Sequence, residues 1–185
     1  MEKVLGPEHP DVAESLNNRA ELLRAQGKYD EAEPLYARAI AIGEKVLGPE
    51  HPDLAVWLNN RAGLLHKQGK YDDAEPLYER ATEIWAKALG RDHPTVATVL
   101  NNRAVLLYAQ ENYMEACSLL ERALAIRTKK LGENHPDTIS TQNNLEAVRQ
   151  KVRAQLGRRV GKPCVPRIAR SPRTAQNYVV LLLQV

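Results

Sequence analysis

The string LNNRA occurs three times in this chain, at residues 16–20, 58–62 and 100–104, and each copy follows the last by 42 residues. Self-similarity of this kind limits the fold more than composition does, because each copy must be one structural unit that packs on the next. Aligned on the string, the units cover residues 9–50, 51–92 and 93–134. A fourth begins at His135 with HPDTISTQNNLEAV and then loses the pattern. Residues 2–8, EKVLGPE, match the last seven residues of a full unit. The expected organisation is therefore the end of a preceding repeat at 1–8, three repeats, and a half repeat or capping helix at 135–156. A tail of different character follows at 157–185.

Each unit reads as two helices. The first starts at His-Pro, where proline suits the first helical position because its missing N–H has no partner there anyway. Val12, Leu16, Ala20 and Leu23 make its apolar stripe, and Gly27 ends it in a left-handed conformation. In the third unit Glu111 stands at the glycine position, and Asn112 is expected to take over that role. The second helix carries Ala32, Leu35, Tyr36, Ala39, Ile40 and Leu47. Its Pro34 requires a start near Asp30, so that the proline falls among the residues whose N–H groups are free. Neither helix buries its stripe alone, so the units must stack into a solenoid. The absence of phenylalanine and the abundance of leucine and alanine favour this all-α solution.

The offsets of Ala20, Gly27, Tyr29, Ala32, Tyr36 and Ala39 resemble those of a tetratricopeptide repeat. The 42-residue period, the paired asparagines and the LGPEHPD connector resemble more narrowly the kinesin light chain class, over residues 2–150. The resemblance implies an all-α, right-handed α-solenoid of helix-turn-helix repeats. It also implies a non-enzymatic scaffold that binds a protein or peptide partner on its concave face, lined by the first helices. A cargo-adaptor fragment and the sensor repeats of a nucleotide-dependent signalling protein are the alternative readings. One departure stands out: the class commonly has leucine where Arg19, Arg61 and Arg103 stand here.

Chemistry is sparse. No phosphate-cradling glycine loop, H-E-x-x-H or G-x-S-x-G motif is present, so no activity and no cofactor are expected. His9, His51, His93 and His135 recur one unit apart, about 10 Å, too far for shared metal ligation, and read as loop residues at helix starts. Cys117 reads as a packed thiol, Trp57 and Trp85 as residues packed against the next helix. The asparagine pairs Asn17–Asn18, Asn59–Asn60, Asn101–Asn102 and Asn143–Asn144 carry the functional signal. Two mediocre helix formers in mid-helix suggest that the carboxamides are used. They either grip a peptide backbone or tie neighbouring helices together, and the two readings are compatible. By resemblance, the second of each pair lies on the concave face near Glu14, Glu21 and Arg24, then His66 and Lys67, then Tyr108 and Lys151.

The arginine column shares the apolar stripe and needs acceptors, because a buried unpaired cation costs several kcal/mol. The reading adopted is a structural bridge between repeats. Each guanidinium reaches the asparagine pair of the next unit, against the alternative of a stem that carries its charge to solvent. The tail from 157 holds six Arg or Lys and no acid, leaving a body of 20 basic and 23 acidic residues. The net charge of +3 is too small to argue for nucleic acid as a partner, the basic tail leaves a nuclear-import or nucleic-acid patch as an alternative, and the tail is expected to be disordered. No apolar run approaches a membrane span, two unframed cysteines point to a reducing compartment, and a cytoplasmic, membrane-free protein without a small-molecule substrate is the expectation.

Overall fold

The computed structural model describes residues 6–160. Helices α1 (Pro10–Ala25), α2 (Tyr29–Val46), α3 (Pro52–Lys67), α4 (Tyr71–Leu89), α5 (Pro94–Ala109), α6 (Tyr113–Leu131) and α7 (Pro136–Val160) follow one another, and no strand occurs among the described residues. Helices pair as hairpins within a unit, α1 with α2, α3 with α4 and α5 with α6. The second helix of each pair then packs on the first helix of the next, α2 on α3 and α4 on α5. The result is a right-handed helix-turn-helix solenoid. It forms one compact unit through Arg153, and what is described of the second unit, from Ala154, is the run of α7 to Val160. The tail expected to be disordered lies, from residue 161 on, outside the described residues.

Small residues set the spacing. Ala20, Ala62 and Ala104 in the first helices are fully buried, as are Ala32, Ala74, Ala116, Ala39, Ala81 and Ala123 in the second. A larger side chain at any of them would overfill a close-packed seam. Each first helix opens on its histidine, whose Nδ1 accepts the backbone N–H two residues on. The distances are 3.2 Å for His9, 3.3 Å for His51, 3.2 Å for His93 and 3.2 Å for His135. The histidines are thus N-cap acceptors.

Two local expectations are corrected. Glu111, not Asn112, takes the left-handed conformation, at φ 61°, beside Gly27 at 75° and Gly69 at 76°. The turn demands it. Asn112 donates its N–H to Leu107 O and Glu111 to Tyr108 O, as Lys28 does to Leu23 O and Gly27 to Arg24 O in the first unit. That bond pair closes only with the earlier residue left-handed, whatever its side chain. Likewise α2 starts at Tyr29, so Pro34 is its sixth residue and lies beyond the free N–H groups. The lost bond is to the carbonyl of Asp30, an exposed residue whose carbonyl water can serve, and Pro34 itself is exposed.

The arginine column is the larger correction. Arg61 and Arg103 do not reach forward to the next unit's asparagines. Arg103 Nη2 lies 3.1 Å from Glu75 and 2.7 Å from Glu79 on the preceding second helix, and 3.0 Å from Glu115 on its own. Arg61 Nη2 lies 3.8 Å from Glu33 of the preceding unit. The partner position is 28 residues back, not forward. Where that position becomes Cys117, the arginine position becomes Leu145, 2% exposed and packed in the same apolar cluster. Arg19 is exposed.

The seams between units are keyed to one another. A Cβ on Gly43 would sit 2.4 Å from the Trp57 ring, so the glycine makes room for that buried indole. One unit on, Trp85 and Val99 occupy the same pair of positions, both buried in the main core. At the next seam Arg127, 5% exposed, donates to Thr141 Oγ1 at 2.6 Å, Asp137 O at 3.0 Å and Thr98 Oγ1 at 3.0 Å. Burial lowers the Arg127 pKa, against the pull of Asp137.

Five substitutions have expected outcomes in urea unfolding. Gly43→Ala should destabilise by about 2 kcal/mol, because the Trp57 clash outweighs the gain in helix propensity. Gly63→Ala, whose Cβ would meet only the Tyr78 hydroxyl at 3.6 Å, should stabilise by about 0.5–1 kcal/mol. Equal effects at the two sites would refute the keyed seam.

Relief of the left-handed strain should make Glu111→Gly more stable by about 1 kcal/mol. No gain would mean that the turn tolerates a side chain at no cost.

Arg103→Met leaves three glutamates converging on an empty position, at a cost of about 2 kcal/mol. Arg61→Met loosens only a long pair and should cost less than about 1 kcal/mol. A larger loss at Arg61 would overturn this account of the column.

Candidate peptide-binding face

The asparagine pairs form a ladder along α1, α3, α5 and α7. The second asparagine of each unit donates Nδ2 to the first asparagine of the unit before. The distances are 3.2 Å from Asn60 to Asn17, 3.1 Å from Asn102 to Asn59 and 3.0 Å from Asn144 to Asn101. Within a pair the first donates to the second, at 3.3 Å from Asn17 to Asn18 and 3.4 Å from Asn59 to Asn60. A polarised chain of carboxamides therefore runs from Asn102 through Asn59, Asn60 and Asn17 to Asn18. Each bond lowers the cost of ordering the next, since aligned amide dipoles reinforce one another. Asn143 on α7 is exposed. The tie between helices is thus direct, and each donating Nδ2 keeps a second N–H.

Three cavities along this face have in their walls an asparagine that bonds across units. One of 330 Å³ lies against Asn18, Glu14 and Val56. One of 210 Å³ lies against Asn60, Arg24, His66, Lys67 and Tyr78. One of 240 Å³ lies against Asn144, Val105, Tyr108, Ala147 and Val148. The sequence-predicted residues Arg24, Asn59, Asn60, His66, Lys67 and Asn102 therefore meet at a single cavity. Tyr108 and Asn144 meet at another, and Asn17 and Asn18 at the third. The arginine column contributes to none of the three.

The chemistry of the face changes from unit to unit. In the first, the Glu21 carboxylate accepts from Arg24 at 2.7 and 3.1 Å and from the Tyr36 hydroxyl. The bond to Glu21 raises the Arg24 pKa, and burial, with Glu21 second, raises that of Tyr36. In the second unit Gly63 stands at the Glu21 position. Burial pushes the Tyr78 hydroxyl up to about 12, with Arg24 pulling the other way. Burial, then the charge of Lys67, lowers the His66 pKa, which favours a neutral imidazole on the face; its ring lies 5.7 Å from that of Tyr71. In the third unit the same positions are Val105 and Leu120, and Tyr108 stacks obliquely on Tyr113 at 5.2 Å. Cys117 has its thiol pKa raised by burial and Glu121, the opposite of what a nucleophile needs.

Gly63, Tyr78, Val105, Ala147 and Val148 were not among the residues picked out by sequence. A signal for them existed. The position occupied by Glu21, Gly63, Val105 and Ala147 changes character in every unit while its neighbours repeat, as a surface tuned for a ligand would. Among the described residues, no three His, Cys, Asp or Glu side chains are placed to hold a metal ion. No helix among them is long and apolar enough to cross a membrane.

Solved structures bear the same architecture. BtubC (BKLC) from P. vanneervenii is 29% identical, superposes with a TM-score of 0.73, and is matched over 90% of this chain and 71% of its own. A Podosopora anserina kinesin light chain candidate with nearly identical TPR-like repeats is also 29% identical, at a TM-score of 0.72 over 82% and 72%. The Sgt2 TPR domain from Aspergillus fumigatus, at 19% identity and a TM-score of 0.59 over 89% and 91%, shares the fold. No curated protein matches the chain significantly. The tetratricopeptide repeat profile matches residues 1–44, 11–87, 53–113 and 95–152. Proteins of that kind are generally non-enzymatic scaffolds for protein or peptide partners. With its period, its helix pairs and its seams all of this kind, the chain belongs to the tetratricopeptide repeat family.

Proposed function

We propose that the chain is an interaction scaffold that binds an extended peptide segment of a protein partner along the concave face formed by α1, α3, α5 and α7. The observation that carries this reading is the row of three cavities, each with an asparagine of the ladder in its wall. An extended chain presents a backbone group about every 3.3 Å and a side chain to one face about every 6.6 Å, so one segment serves adjacent cavities one unit apart. The spare N–H of each donating asparagine suits a backbone carbonyl. The cavity at Val105, Tyr108, Ala147 and Val148 suits an apolar side chain, and the partner is a protein, not a nucleic acid or a membrane. The free thiol of Cys117 fits a reducing compartment, the cytoplasm in this reading. Similarity to the Podosopora anserina protein favours a kinesin light chain-like cargo adaptor as a second reading.

Replacing the asparagines is a poor test, since it also cuts the ladder. Val105 is 38% exposed and makes no part of it. Peptides selected from a random displayed library against the whole chain should lose about tenfold in affinity or more on Val105→Arg, the value of one buried apolar anchor. Circular dichroism and melting temperature should stay as in the parent. Undiminished binding of every selected peptide would overturn the proposed face.

A further inference from the structure

We infer that a second interaction site, for an acidic side chain of a protein partner, lies between the second helices α4 and α6, where Arg91 and Arg122 have no acid to pair with. It is separate from the proposed peptide face, since no asparagine of the ladder is in its walls.

The preceding pair of second helices shows the complete arrangement. Arg80 on α4 reaches back to α2, where Nη1 pairs with the Glu44 carboxylate and Nη2 donates to Pro49 O at 3.2 Å. One unit on, Arg122 on α6 repeats the backbone half of this clasp, with Nη2 donating to Arg91 O at 3.4 Å. The carboxylate half is gone, because Ala86 stands at the Glu44 position. A cavity of 750 Å³ opens there, with Ala86, Arg91 and Arg122 in its wall. The loop adds a second cation, since Arg91 stands where the first unit has Pro49. Both arginines are exposed, and neither is in an ion pair among the described residues. The acids of the same cavity do not serve them. Glu79 is held by Arg103 at 2.7 Å. Glu83 lies one helical turn before Ala86, pairs with neither arginine, and acts instead on the charge of Lys87, which is engaged with Glu50. Two guanidiniums against the one carboxylate of Glu83 leave an excess of one positive charge. One carboxylate balances it, held by a guanidinium fork, whereas a phosphate dianion would overshoot. Glu44 also shows the reach required, a carboxylate brought in on a short stem from a neighbouring surface. The occupant is thus an Asp or Glu side chain of a partner protein, which restores the clasp that Ala86 leaves half made.

The test is an NMR titration of the full-length protein at low salt, read at the Nε–H groups of Arg91 and Arg122 and the amides of Ala86 and Lys87. The probes are Ac-Ala-Ala-Glu-Ala-Ala-NH2, its glutamine counterpart, acetate and inorganic phosphate. The glutamate peptide should shift these signals saturably, and the glutamine peptide should bind about fivefold more weakly, the upper end of what an exposed ion pair contributes. Ala86→Glu should abolish the binding by supplying the acid internally, as Glu44 does one unit earlier. Arg122→Gln should weaken it about fivefold or more, with the melting temperature retained in both variants. Val105→Arg should leave it unchanged, which separates this site from the peptide face. No saturable shift, equal binding of the glutamate and glutamine peptides, or full binding by Ala86→Glu would overturn the site and leave the peptide face standing. Acetate as tight as the glutamate peptide would overturn it as well, by reducing it to a simple ion site, and phosphate tighter than the peptide would overturn the choice of a carboxylate.

Discussion

Everything in this fold depends on the seam where a first helix lies on the pair before it. A single hairpin of this sequence cannot cover its apolar stripe, so each unit is stable only as far as its neighbours bury it. The alanines at 0% exposure bring the backbones close, and close approach makes the seam sensitive to every atom. Apolar packing alone would permit one helix to slide along another. The asparagine ladder does not, because a slip by one residue would turn each carboxamide about 100° away from its partner and leave polar atoms half-buried. The ladder thus serves register first, and whatever it offers a ligand is offered from side chains already held in place.

The period, the two helices per unit and their ends were legible because they depend on local spacing and on Gly and Pro, which act within a few residues. What was not legible depends on partners in another unit. Within a unit, the position of Glu33 and Glu75 becomes Cys117 in the third, so it offers the arginine column no constant partner. The acid is on the preceding second helix, and read that way the pattern has no exception: Glu33 meets Arg61, Glu75 meets Arg103, and Cys117 meets Leu145. Glu111 failed for the opposite reason. Propensity named Asn112 the easier residue to place left-handed, but the hydrogen-bond geometry of the turn fixes which residue it must be. On the face itself, Arg24, His66 and Lys67 were expected from the resemblance, while Gly63 was missed because its contribution is an absent side chain.

The paired columns say something about order. Glycine faces tryptophan at the first seam, tryptophan and valine share a core at the second, and arginine meets threonine at the third. Exchanging any two would press an indole against an indole or bury a guanidinium without its hydroxyl. Repeats as alike as these have many near-equivalent ways to stack, in one chain or between chains. Seams that differ while the rest repeats restrict the array to one arrangement.

The same division of labour accounts for the face. The positions that hold units together repeat, because the geometry of one seam is the geometry of the next. The position of Glu21, Gly63, Val105 and Ala147 makes none of the ladder's hydrogen bonds, so it was free to change without disturbing the stack. The position three residues further on changed with it, from Arg24 to His66 to Tyr108. The face therefore passes from a self-satisfied ion pair, through an open cationic cavity, to an apolar one, over three units of otherwise equal shape. A partner that lay along it in one direction would meet charge and then grease, and in the other direction the reverse. A uniform groove could not tell those orientations apart. On the proposed reading this one would, with four side-chain positions set on a scaffold whose regularity comes from everything else.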